Sequence, residues 1–173
     1  MKRVAFLYLS LLTLFALTVL GNYASCSVEV LFVSPSVDGV IESRIIELLD
    51  KAEDSIYIAM YSFTDDQLGQ AVVDAYGRGV DVKVLLDDGQ DSEAGSREWP
   101  KLKEAGVPVK VEHETGLLHH KFAVIDERLV ITGSYNWSNN ADDDNFENVV
   151  VISCEQIAEV YVKEFEEIWN TLE

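Results

Sequence analysis

One run, HHKFAVIDERLVITGSYN, places His119, Lys121, Asp126, Gly133, Ser134 and Asn136 in a His-x-Lys, four-residue, Asp, six-residue, Gly-Ser-x-Asn pattern. His119 and Lys121 lie two apart in HKFAVI, which is rich in aliphatic and aromatic residues and stops at a polar turn. It reads as a strand, so both side chains leave one face. An imidazole whose ordinary pKa is about 6.5 is largely neutral and nucleophilic near pH 7, and a lysine ammonium offers fixed charge to a phosphate oxygen. Asn136, just past the Gly133-Ser134 turn, can donate its amide to the same oxygens, with Ser134 beside it. Such donors act where charge gathers in the transition state, and one is typically worth about 3 kcal/mol. The chemistry these types suit is nucleophilic attack on a phosphodiester.

At ordinary residue frequencies, His-x-Lys-x4-Asp arises by chance in roughly one chain per hundred of this length, and the added Gly-Ser-x-Asn makes coincidence remote. The stretch closely resembles the signature of the phospholipase D superfamily, including Glu147-Asn148 and the apolar strand after them. The resemblance implies a two-step cleavage of phosphodiesters. One histidine attacks phosphorus to form a phosphohistidine, a second protonates the leaving oxygen, and water then releases the product. It also implies that Glu147, at the head of ENVVVI, holds the other ring nitrogen of His119, fixing tautomer and orientation. Asp126 belongs to the motif and is kept among the site residues, but its parity against His119 and Lys121 places it on the opposite face, as a carboxylate organising the turn.

The chain has one copy of the motif, and larger members of the superfamily carry two. The simplest resolution is a homodimer with a twofold axis through the site, as in the small single-motif nucleases this chain resembles most, the two His119 rings facing each other. No cofactor or metal is expected, because lysines, asparagines and imidazolium perform the charge stabilisation a divalent ion would supply.

Other polar features have plainer readings. His120 has the opposite parity and packs behind the site. His113, between Glu112 and Glu114, matches no metal spacing. Asp142, Asp143 and Asp144, and separately Asp87, Asp88 and Asp91, lack the ligand spacing and glycine of a calcium loop and read as solvated. Tyr135 and Trp137 would stack on a base or a lipid head group, or else pack in the core.

The elements that must position the motif follow from periodicity. Val28 to Val33 reads as a strand, Val40 to Ala52 as a helix, Ser55 to Tyr61 as a buried strand. Thr64 to Gln67 has the form of a capping box, opening a helix that stops at Gly77 to Gly79. A strand from Val80 to Leu86, a short helix around Pro100 to Ala105 and a strand from Val107 to Val111 come next. The alternation predicts an α/β fold, parallel at first, then more antiparallel over 119 to 126, 129 to 134 and 146 to 153, flanked by helices on both faces. Glu155 to Leu172 is an amphipathic helix with Ile157, Val160, Tyr161, Phe165, Ile168, Trp169 and Leu172 on the sheet.

Val4 to Leu20 is an apolar run after Lys2 and Arg3, which reads as a secretory signal over residues 1–25, leaving a catalytic domain over 26–173 and an exported protein. An uncleaved anchor and lipidation at Cys26 are the rivals. Cys26 and Cys154 pair only if cleavage leaves Cys26 in place. The remainder holds 11 basic and 31 acidic residues, a formal charge of −20. That argues against sequence-independent nucleic-acid binding through a broad basic surface. Arg97, Lys101, Lys103 and Lys110, around Trp99, would line a groove with Lys121 or else form a solvated surface. The reading is an endonuclease acting on DNA or RNA. A phospholipid hydrolase, favoured somewhat by the acidic body, and a catalytically idle envelope-binding module are the alternatives.

Overall fold

The computed structural model describes residues 26–35, 39–88, 98–112, 116–138, 140–141 and 144–172. The N-terminal apolar run, His113, Asp91, Arg97, Asp142 and Asp143 lie outside them. Among the described residues no helix is long and apolar enough to cross a membrane.

In chain order the elements are β1 (Ser27–Val33), α1 (Val40–Asp50), β2 (Ser55–Met60), α2 (Asp66–Gly77), β3 (Asp81–Asp87), α3 (Glu98–Glu104), β4 (Val109–Glu112), β5 (Lys121–Ile125), β6 (Leu129–Gly133), β7 (Glu147–Ser153) and α4 (Glu155–Thr171). The seven strands form one sheet in the order β1-β7-β6-β5-β2-β3-β4. β2, β3 and β4 are parallel, joined by helical crossovers, and the other pairings are antiparallel. β2 is buried along its whole length, which its continuous apolar sequence SIYIAM demands of a strand covered on both faces.

Helices α1, α2 and α3 share one core with one face of the sheet, through residues such as Ile41, Ile45, Leu68, Val72 and Leu102 packed with Ile56, Ile58, Ala123 and Ile131. α4 covers the other face, where Phe165 and Ala158 meet Tyr57, Phe122, Val124 and Val130. The α/β architecture with helices on both faces is therefore as expected, and its details differ in three places.

The cap of α2 is Asp65, whose carboxylate accepts from the Gln67 and Leu68 amides at 2.9 Å each, one residue later than the Thr64 box. Thr64 instead extends its backbone N–H to the Trp137 carbonyl. On α4 the buried stripe runs through Ala158, Tyr161, Val162 and Phe165, while Ile157 and Val160 stand exposed, Val160 by 66 %. Small Ala158 lets the helix approach the sheet and rotates the two larger residues outward. Finally β5 begins at Lys121, so His119 precedes the strand.

Two glycines reflect close approaches. A Cβ on Gly69 of α2 would fall 1.5 Å from the carboxylate of Glu98 on α3. One on Gly133 would fall 2.1 Å from the Asn148 carbonyl oxygen across the β6–β7 pair. Cys26 and Cys154 are joined by a disulfide, with α-carbons 4.7 Å apart, next to the Ser27–Ser153 pair that closes the far end of β1 and β7. A sulfur used this way has no thiol left to carry a lipid.

Candidate active site

The C-terminal ends of β2 and β3 lie at the same end of the sheet as the start of β5, the end of β6 and the start of β7. β2 and β5 are antiparallel neighbours where the parallel half of the sheet stops. Side chains just beyond the carboxyl ends of strands at such a change of order are free to face a ligand rather than a neighbouring strand.

His119 is held there by its two neighbours in sequence. The Leu118 amide donates to the buried Asp87 carboxylate at the end of β3, at 2.9 Å, and the Tyr61 amide donates to the His120 carbonyl at 2.8 Å. Asp87 is thus an internal anchor and not part of a solvated cluster. The Met60–Lys121 register then sets Tyr61 beside His119, ring centroids 4.5 Å apart. The Lys121 ammonium stands 4.8 Å from the centre of the Tyr61 ring and 3.5 Å from His119 Nε2. His119 is exposed and Lys121 half-buried. Burial pulls the Lys121 pKa below its ordinary value, partly offset by the negative charge of Glu147.

Glu147 is on β7, two strands from β5, and the intervening β6 ends in Gly133, which has no side chain to separate them. Its carboxylate accepts from the Ser134 hydroxyl and, at 3.0 Å, from the Asn145 amide. Ser134 Oγ in turn accepts from the Asn148 backbone N–H at 3.1 Å and its side-chain amide at 3.2 Å. Within one chain, among the described residues, Glu147 is therefore paired with Ser134 and Asn145 and not with the His119 ring. The expected contact of Glu147 with that ring is thus not made within one chain.

Asn136 lies between two buried aromatics, Tyr135 and Trp137, each 2 % exposed. Trp137 packs edge-on to Phe63 at 5.0 Å, and its carbonyl accepts the Thr64 and Asp65 amides. These rings belong to the core, and they lock the backbone on both sides of Asn136. Among the described residues its Oδ1 is buried without a hydrogen-bond partner, an arrangement that costs about 1 to 3 kcal/mol.

Asp126 is not with this group. It follows β5 at the opposite end of the sheet, with φ 53°, and its carboxylate accepts the Glu53, Asp54 and Ser55 amides at 2.7 to 3.2 Å. Its inclusion among the catalytic residues is corrected, and its reading as a carboxylate that organises a turn is what the geometry displays. His120 turns to the other face, 3.3 Å from Glu164 of α4 and edge-on to Phe122. The basic groove does not form from the described lysines. Lys110 donates to the Trp169 and Leu172 carbonyls at the end of α4, Lys101 pairs with Asp66 and Glu98, and Lys103 lies over Trp99. Among the described residues no group of three or more His, Cys, Asp or Glu side chains has the arrangement of a metal site.

Tyr61 is the site residue that reading the sequence missed. Its placement beside His119 comes from a strand pairing between positions some 60 apart, for which no local signal exists.

A solvent-open imidazole stands beside an ammonium at the end of a mixed sheet sandwiched by helices, an arrangement that suits nucleophilic attack by the imidazole. The family model described as cardiolipin synthase, PLD-like domain, matches residues 45–169. A mitochondrial cardiolipin hydrolase of Xenopus tropicalis is 38 % identical over 128 residues, covering 74 % of this chain and 60 % of that protein. The human protein of that name is 37 % identical over 128 residues and is covered by half. A phospholipase D of Rickettsia typhi is 39 % identical over 119 residues, covering 69 % of this chain and 58 % of that one. The chain thus spans about half to three fifths of the length of these relatives. Among solved structures, the phospholipase D family member Nuc from Salmonella typhimurium superposes with a TM-score of 0.76 at 30 % identity, over 86 % of this chain and 97 % of that chain. NucT from Helicobacter pylori, at 21 % identity and a TM-score of 0.73, shares the fold.

The chain belongs to the phospholipase D superfamily.

Proposed function

We propose that the chain is a nuclease that cleaves phosphodiester bonds of DNA or RNA through a phosphohistidine on His119, at a site shared by two copies. The observation that carries this reading is the His119–Lys121 pair. An ammonium only donates, so its position 3.5 Å from Nε2 suits the tautomer with the lone pair there and the proton on Nδ1. That lone pair attacks phosphorus, the P–N bond forms as the bond to the leaving oxygen breaks, and the leaving oxygen takes a proton from the partner's His119. Water then attacks phosphorus, passing its proton to that second imidazole, and the P–N bond breaks. Lys121 and the Asn136 amide, with Ser134 at the rim, stabilise the charge on the non-bridging oxygens.

His120 cannot be the second imidazole because it faces α4, and this supports a partner copy as the source. The exposed position of His119 suits a phosphodiester in the middle of a long chain, and the likeness to Nuc spans nearly all of that molecule. A second reading, hydrolysis of a phospholipid, draws on the names of the cardiolipin hydrolases and phospholipase D among the relatives. It also draws on a partly apolar cavity of about 400 Å³ that Phe32 and Phe146 line beside Glu147. Purified protein incubated with phosphorus-labelled plasmid DNA, single-stranded RNA and cardiolipin vesicles, one portion stopped in neutral detergent for the products and another made alkaline only to preserve phosphohistidine on the protein, tests both. Nucleic-acid cleavage with a label on His119 is expected. Release of a lipid product with no nuclease activity would replace the first reading by the second.

A further inference from the structure

His119 is exposed and stands ahead of β5, so the strand ladder that starts at Lys121 does not fix its side chain. Glu147, among the described residues of one chain, is paired with Ser134 and Asn145 instead. An imidazole so placed is free to turn, yet attack needs Nε2 to keep one direction. A misplacement of about 1 Å can cost about a hundredfold in rate. Lys121 adds to the problem, because its long stem gives up much rotamer freedom when the ammonium is held in one place. Both groups need a rigid support.

Tyr61 meets that need. It directly follows β2, which is buried along its whole length, and its amide donates to the His120 carbonyl at 2.8 Å. Two residues on, Phe63 is fully buried against Trp137. The Tyr61 backbone is therefore fixed on both sides. Its half-buried ring lies against the imidazole, centroids 4.5 Å apart and planes tilted by 57°, and the Lys121 ammonium stands 4.8 Å from its centre. Both contacts are made by the ring and neither by the hydroxyl. An aromatic face attracts an ammonium through its quadrupole while carrying no net charge. A carboxylate in the same place would compete with a phosphate for the ammonium, whereas a neutral ring holds it and then yields it to a phosphate oxygen.

We propose that Tyr61 is a positioning residue for the reaction: its ring, not its hydroxyl, holds the His119 imidazole and the Lys121 ammonium in the arrangement that attack on phosphorus requires. The proposal rests on the reading of His119 as nucleophile. It does not depend on whether the substrate is a nucleic acid or a lipid, nor on what supplies the second imidazole.

Tyr61→Phe, which keeps the ring, and Tyr61→Leu, which removes it, test the assignment in the full chain, with bis(p-nitrophenyl) phosphate as a diester that favours neither substrate class. Circular dichroism checks the fold, and Tyr61→Met takes the place of the leucine variant if that variant does not fold. Tyr61→Phe is expected to keep kcat within about threefold of wild type. Tyr61→Leu is expected to lower kcat by about tenfold or more while KM changes by less than about threefold, since what is lost is the direction of attack and not a contact with substrate. A second readout needs no turnover. The proton resonances of the His119 ring and the Lys121 ε-methylene are displaced by the ring current of Tyr61, and the leucine variant should move them toward those of exposed side chains while the phenylalanine variant should not. A folded leucine variant with wild-type kcat, with a raised KM at unchanged kcat, or with unmoved resonances overturns the proposal. A phenylalanine variant that loses as much as the leucine variant gives the role to the hydroxyl and also overturns it. Wild-type turnover by His119→Ala would instead overturn the histidine reading beneath it.

Discussion

Lys121 Nζ stands 3.5 Å from His119 Nε2, with the Tyr61 ring against both side chains. In the proposed reaction this ammonium is the group placed to meet the charge that attack by the imidazole would create on a phosphate oxygen. Replacing His119 by Ala is expected to lower kcat by about 10³-fold or more, and Lys121→Met by about 10² to 10³-fold. Both variants should unfold at the wild-type temperature, and wild-type activity should persist in excess chelator. Turnover by His119→Ala at the wild-type rate would remove the histidine from its role.

Glu147 raises the Lys121 pKa against the lowering effect of burial. Glu147→Gln removes that support, and the lysine should titrate at lower pH still. Nitrogen NMR of the Lys121 side chain follows the change directly. An unmoved titration would mean that the two groups do not sense each other across β6.

Asp126 is remote from the chemistry, and three backbone amides depend on it. Asp126→Ala is expected to cost about 1 to 3 kcal/mol of stability, since charge-assisted hydrogen bonds to three amides are lost and that of buried Ser55 is left open. Chemical denaturation would show the loss, while kcat of the folded fraction stays near the wild-type value. A selective fall in kcat with stability unchanged would return Asp126 to the site.

Glu98 is fully buried between α2 and α3, and burial pushes its pKa up to about 7, with the Lys101 ammonium pulling the other way. An acid that binds its proton more tightly when folded loses stability as it ionises. Its contribution is complete below about pH 4.5, declines as pH rises, and is gone above about 7, a difference of roughly 3 kcal/mol at most. Glu98→Gln should flatten the stability curve over that window relative to wild type. Parallel curves for the two proteins would exclude the effect.

The Cys26–Cys154 bridge closes a loop with a sequence separation of 128 residues and lies at the end of β1 and β7 away from His119. A closure of that length stabilises by about 4 to 5 kcal/mol in the chain-entropy account. Reduction, or replacement of both cysteines by Ala, should lower Tm with little change in kcat for folded protein. An unchanged Tm would mean that the bridge does not constrain the unfolded chain.

Much of this was legible in the linear sequence because the information is local. The spacing of His119, Lys121 and Asn136 names the superfamily, alternation and apolar runs name the strands, and the 3.6-residue period places α4, although Ala158 shifts its buried stripe away from Ile157 and Val160. What pairs with what was decided only by tertiary structure. Parity relates neighbours on one strand, but Asp126 and His119 are set apart by the length of β5 rather than by its two faces. Tyr61 and Glu147 reach the site through registers between distant segments, which no short-range pattern encodes. Lysines close in sequence, Lys101, Lys103 and Lys110, were sent to three different partners, because the direction of a side chain depends on the element that carries it and on what that element packs against.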